Sequence, residues 1–112
     1  MKNQVFTPEQ LETIQLNVIA LLCYVKKHDG RELPHWFSHC ERIVRNIDIS
    51  RDAGYTERHE LTELIKGDWR SACHFRAGLP NYYLPNDAVE VRTIMNRAIS
   101  KQISKIEEHI NT

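Results

Sequence analysis

Asn86–Ile110, NDAVEVRTIMNRAISKQISKIEEHI, is the stretch whose reading decides the fold. Ile99, Ile103, Ile106 and Ile110 recur at intervals of four, three and four, which places them along one side of an α-helix. Arg97, Lys101 and Lys105 form a stripe on a neighbouring side. Such a helix must bury its isoleucines against the rest of this chain or against a second chain. The seam covers fewer than two heptads, short of the three or four that mark a coiled coil. An N-terminal helix of about 22 residues, ~33 Å long, suffices to cover a last helix of about 24 residues, ~36 Å long. Packing within one chain is therefore sufficient, and a homodimer is optional.

Working back from this helix, Asn86 or Asp87 is the expected cap. Leu79–Pro85, LPNYYLP, reads as a stiff connection, because a residue that precedes proline is pushed out of the helical region; Leu79 and Leu84 are expected to be extended. Thr7-Pro8-Glu9-Gln10 reads as a helix start, with a Thr cap, Pro at the first helical position and Gln three residues after the cap. Leu11, Ile14, Val18, Leu21, Leu22 and Val25 follow at helical spacing, with Lys26, Lys27 and His28 near the carbonyl end and Gly30 as terminator. A second helix starts near Leu33 or Pro34 and carries Trp36, Phe37, Cys40, Ile43, Val44 and Ile47; Asp48–Gly54 reads as a loop. Thr56 is the expected cap of a third helix with Leu61, Leu64 and Ile65, which Gly67 and Asp68 can interrupt before Trp69, Ala72, Cys73 and Phe75. No alternating run bounded by turn signals suggests a strand. The expected fold is all-α, a single-domain bundle of four or five helices over residues 1–112, with approximate spans 8–29, 34–47, 56–77 (a break available near 67) and 87–110.

Composition narrows the class. The chain has 112 residues, the size of one domain. Its 41% hydrophobic and 27% charged residues are those of a soluble globular protein. Fifteen basic and fifteen acidic residues leave no net charge, which argues against bulk attraction to phosphate or to anionic membrane. The three cysteines, Cys23, Cys40 and Cys73, match no disulfide framework, so free thiols in a reducing compartment are expected. MKNQVFTPEQ does not read as a signal peptide, and the nearly apolar run Val18–Val25 is too short to span a bilayer. The expected location is the cytoplasm, the cell's own or a host's.

Residues with chemistry to offer do not assemble into a catalytic motif. His35 and His39 share a helix face, with Cys40, Cys73 and His74 as further zinc ligands on paper; no Cys-x-x-Cys pair supports them, and adjacent residues on a helix point about 100° apart. His59-Glu60-Leu61-Thr62-Glu63 resembles the start of a zinc-protease motif but has glutamate at the position of the second histidine. Glu32-Leu33-Pro34-His35 alone has the spacing of a di-iron ligand pair. Nothing marks a Cys–His nucleophile, and no glycine-rich phosphate loop is present. The expectation is a protein that is not an enzyme, with no cofactor and no metal.

Binding is the class that remains. Trp69, Arg70, Arg76, Tyr82 and Tyr83 gather in one region the residue types that dominate interface hot spots, and two adjacent tyrosines do not easily both point inward. Together with Arg97, Lys101 and Lys105 they form the candidate partner-binding surface. The leading expectation is a regulatory or adaptor protein that binds another protein, with no membrane role. Small neutral helical domains of this kind include inhibitors and accessory factors carried by phages and mobile elements. The alternative is a nucleic-acid-binding regulator. Arg92, Arg97, Lys101 and Lys105 lie in Val91–Ile106, where no acidic residue occurs, while Lys66, Arg70 and Arg76 are interleaved with aromatics; Arg42, Arg45 and Arg51 offer a further patch. A small zinc-binding protein is the third reading.

Overall fold

The computed structural model describes residues 5–74, 78–79 and 82–111. Four α-helices account for it: α1 Pro8–His28, α2 His35–Asp52, α3 Arg58–Ala72 and α4 Val89–Ile110. No strand occurs among the described residues. α1 packs against both α2 and α4, and α2 packs against α3. The molecule measures 48 × 30 × 22 Å. No helix among the described residues is long and apolar enough to cross a membrane.

Each helix boundary has a local cause. At α1, the Thr7 side chain accepts from the Gln10 amide at 3.1 Å, and the Gln10 side chain accepts from the Thr7 amide at 2.8 Å, a reciprocal cap for two otherwise unpaired donors. Its other end closes at Asp29, whose amide donates to the Val25 carbonyl, ahead of the expected stop at Gly30. Pro34 is the extended cap of α2. This helix runs five residues past Ile47, through most of the expected loop. It ends only where the backbone turns left-handed, at Gly54 (φ 75°) and Tyr55 (φ 59°), with the Tyr55 amide donating to the Ser50 carbonyl at 2.8 Å. Gly54 takes that conformation freely, whereas Tyr55 does so at a cost of about 1 kcal/mol.

α3 is one continuous helix. Glu57 takes the cap position in place of Thr56, and Gly67 does not interrupt the helix. The helix ends at Ala72, short of the expected 77; residues 75–77 lie outside the described set. α4 begins after Ala88. Asn86 still contributes, but as a turn residue, its side-chain oxygen accepting from the Ala88 amide at 2.9 Å. Leu79 heads a tight turn in which its carbonyl accepts from the Tyr82 amide at 3.1 Å, so it is not the extended residue the following proline suggests.

One apolar core joins all four helices. α1 contributes Leu11, Ile14, Val18, Leu21 and Val25, α2 Trp36, Phe37, Cys40, Ile43 and Ile47, and α3 Leu61, Ile65, Trp69 and Ala72. α4 closes it with Met95, Ile99, Ile106 and Ile110, while Ile103 is half-buried. Phe6, just before α1, is also fully buried. Its amide donates to Thr62 Oγ1 and its carbonyl accepts from Arg58, which ties the start of the described chain to α3. Buried Gln15 bridges α1 to α2, its amide group donating to the Val44 carbonyl and to Asp48.

The continuity of α3 is open to a direct test. A Cβ added at Gly67 meets nothing within 4 Å, and glycine inside a helix costs about 0.5–1 kcal/mol relative to alanine. Gly67→Ala is therefore expected to stabilise the protein by about 0.5–1 kcal/mol in denaturant titration. A loss of stability would mean that residue 67 is not in a regular helix.

Candidate protein-docking surface

Two separate surfaces carry the residues that sequence reasoning singled out. The first is built around Asp29, at the end of α1. This residue is buried, and its carboxylate collects four donors. The Arg31 amide and Nε donate to Oδ1 at 2.9 and 3.0 Å. Arg31 Nη2 and the Tyr82 hydroxyl donate to Oδ2 at 3.1 and 2.5 Å. The Arg31 bonds, aided by the Tyr82 hydroxyl, outweigh burial and hold the Asp29 carboxyl down at about 2. Burial and the bond to Asp29 push the Tyr82 hydroxyl far above its ordinary value.

This cluster orients the two tyrosines differently. Tyr82 is half-buried, its ring edge-on to Trp36 at 5.0 Å between centroids. Tyr83 is 57% exposed, and its carbonyl accepts from Arg31 Nη2 at 2.9 Å. The Arg31 guanidinium lies 6.0 Å from each tyrosine ring, within cation–π range. On the far side of the segment, the Asn96 side chain pairs with Leu84, accepting from its amide at 2.6 Å and donating to its carbonyl at 2.9 Å. The 82–84 segment is thus anchored to the end of α1 and to α4 at once, with Tyr83 facing out.

The second surface is the outer side of α4. Arg97, Lys101 and Lys105 are exposed, and none forms a salt bridge with another described residue. The same side carries two exposed apolar residues, Val91 at 43% and Ile94 at 66%. Val91, Ile94, Ala98, Lys101 and Lys105 step by three, four, three and four, so they form one stripe, apolar toward the N-terminal end of the helix and cationic beyond it.

These surfaces do not merge. Asn96 marks the side of α4 against which the tyrosine segment lies. Arg97, Lys101 and Lys105 lie roughly 100–180° around the helix from it. Trp69 is 4% exposed, so its ring is part of the core and leaves the candidate surface. Arg70 is exposed on α3. Arg76 lies outside the described residues.

Of the metal and nucleophile candidates, three histidines come to one cavity and Cys73 lies at another. His35, His39, Ser71 and His74 border a cavity of about 260 Å³. His39 Nδ1 lies 3.3 Å from Asp68 Oδ1, the oxygen that also accepts from Arg42 at 3.1 Å. Cys73 lines a different cavity, beside Leu79 and Ile103. Among the described residues no three His, Cys, Asp or Glu side chains are placed to hold a metal ion. Burial pushes the Cys40 thiol well up and the Cys73 thiol to about 11, so both are neutral at pH 7, whereas a nucleophile needs the thiolate. No protein-family model, curated protein or solved structure matches the chain.

Asp29, Arg31 and Asn96 escaped the sequence reading. Asp29 and Tyr82 are 53 positions apart, and no periodicity joins such residues. Val91 and Ile94 did leave a signal, the second stripe at intervals of three and four beside the isoleucine seam.

Because the folded Asp29 carboxyl titrates at about 2, below the ordinary 3.8, its contribution is complete above pH ~4 and is lost as pH falls toward 2. The shift corresponds to about 2 kcal/mol. Asp29→Asn is expected to destabilise the protein by about 2 kcal/mol at pH 7 in denaturant titration, with the gap to wild type narrowing between pH 4 and pH 2. A gap independent of pH would show that the ionised carboxylate is not its source.

Proposed function

We propose that this chain is a non-enzymatic regulatory or adaptor protein that binds another protein through the outer side of α4. One observation carries the reading: Val91 and Ile94 stand exposed in line with Lys101 and Lys105, and Arg97 is exposed beside Ile94 and Lys101. Apolar groups in water gain by being covered, and cations beside them that form no salt bridge with another described residue select a partner whose apolar surface is edged with carboxylates. Tyr83 and Arg31 form a second contact edge on a different side, composed of residue types that dominate hot spots. Three cysteines without a disulfide support action in a reducing compartment such as the cytoplasm.

Nucleic-acid binding is the second reading, and the exposed basic stripe of Arg97, Lys101 and Lys105 favours it. It ranks below protein binding for two reasons. The chain has no net charge, so no long-range field draws it to phosphate. Phosphates would also leave Val91 and Ile94 uncovered.

Affinity capture from the native host, with and without nuclease, separates these readings when wild type is compared with an Ile94→Glu/Lys101→Glu double variant. The expected result is a protein partner that survives nuclease and is bound at least about tenfold more weakly by the double variant, a loss of roughly 1.4 kcal/mol. Capture abolished by nuclease would favour the nucleic-acid reading. A partner retained equally by both chains would place the contact elsewhere.

A further inference from the structure

A second surface, away from α4 in sequence, is complementary to the α4 stripe. Between the C-terminal half of α2 and the N-terminal half of α3 lies an apolar groove of about 200 Å³, room for one aliphatic side chain. Ile49 and Leu64 flank it, 59% and 53% exposed, and Leu61 lines it more deeply. Glu57 and Glu60 also border it. Both glutamates are exposed, and neither forms a salt bridge with another described residue.

We propose that the occupant of this groove is the outer side of α4 from a second copy of the chain. The inference rests on reading that side as a docking face, and it names one partner for it. Charge is the first argument. An apolar groove edged with carboxylates meets an apolar stripe continued by cations, so each buried aliphatic contact is flanked by opposite charges.

Spacing is the second argument. Leu64 and Glu57 are seven residues apart, as are Ile94 and Lys101. Seven residues are close to two helical turns and rise about 10.5 Å, so both pairs offer the same separation along one helix side. Glu60 lies between the first pair and Arg97 between the second. With α4 antiparallel to the partner's α3, Ile94 enters the groove beside Leu64, while Arg97 approaches Glu60 and Lys101 approaches Glu57. A parallel arrangement would carry the cations past Leu64, away from both glutamates. Every copy has both surfaces, so two contacts close a twofold dimer when the surfaces face each other; otherwise association continues into longer assemblies.

Charge exchange tests the pairing. Glu57→Lys/Glu60→Lys gives a chain with a basic groove and a basic stripe. Arg97→Glu/Lys101→Glu gives one with both acidic. All four side chains are exposed, so both variants should keep the wild-type far-UV circular dichroism. Sedimentation velocity is run up to about 1 mM chain, a range that captures weak association. Wild type should associate, and less so as salt is raised. Each variant alone should sediment as a monomer, and an equimolar mixture of the two should recover wild-type association, because every groove then meets a stripe of opposite charge. The proposal is overturned if wild type stays monomeric, if either variant alone associates like wild type, or if the mixture stays monomeric. The Glu57→Lys/Glu60→Lys chain keeps α4 intact. If wild type stays monomeric while this variant still captures the host partner, self-docking has failed and the α4 docking face has not.

Discussion

Burial of one side of α4 against α1 is the constraint on which the rest of the structure depends. Ile106 and Ile110 are at most 1% exposed and Ile99 is 2% exposed. Each such side chain contributes about 1.5–3 kcal/mol when it is removed from water, a large share of the 5–15 kcal/mol that holds a small domain together. A polar contact sets the register of this packing: Gln102 donates to the carbonyl and the side-chain oxygen of Asn17 at 2.9 and 3.0 Å. A helix has only one side to bury in this way. Once the isoleucines face α1, Val91, Ile94, Arg97, Lys101 and Lys105 have no choice but to face out.

The Asp29 cluster supplies what helix packing cannot. The 82–84 segment has no regular structure, so its backbone groups need partners from elsewhere. Arg31 and Asn96 provide them for Tyr83 and Leu84, while Asp29 holds the Tyr82 side chain. A buried carboxylate without donors would be costly, but this one has four hydrogen bonds from Arg31 and Tyr82. The same bonds that hold the segment also leave Tyr83 outside, so of two adjacent tyrosines one is tied into the fold and the other stands exposed.

How much of this was legible in the sequence depends on the range of the interaction. The 3.6-residue period located the cores of α1, α2 and α4, since amphipathicity is written locally. The start of α1 was legible for the same reason, its capping box lying within Thr7–Gln10. Polar composition misled at Asp48–Asp52, where Gln15 and Arg51 bond to Asp48 and the helix continues to its left-handed stop. Gly67 looked like a break, but packing of Leu61, Ile65, Trp69 and Ala72 outweighs the modest cost of one glycine. The residue type of Trp69 suggests a binding role; only tertiary packing shows that it faces inward. The Asp29–Tyr82 bond leaves no local trace at all.

The central claim is that the isoleucine seam of α4 is closed within a single chain, leaving the opposite side free to dock. Amide hydrogen exchange on progressively diluted protein tests it most directly. Amides from Ile99 to Ile110 are predicted to stay protected as strongly as those of α1, at every concentration. Loss of that protection on dilution, with α1–α3 unchanged, would contradict the account by showing that the seam is covered only by a second chain.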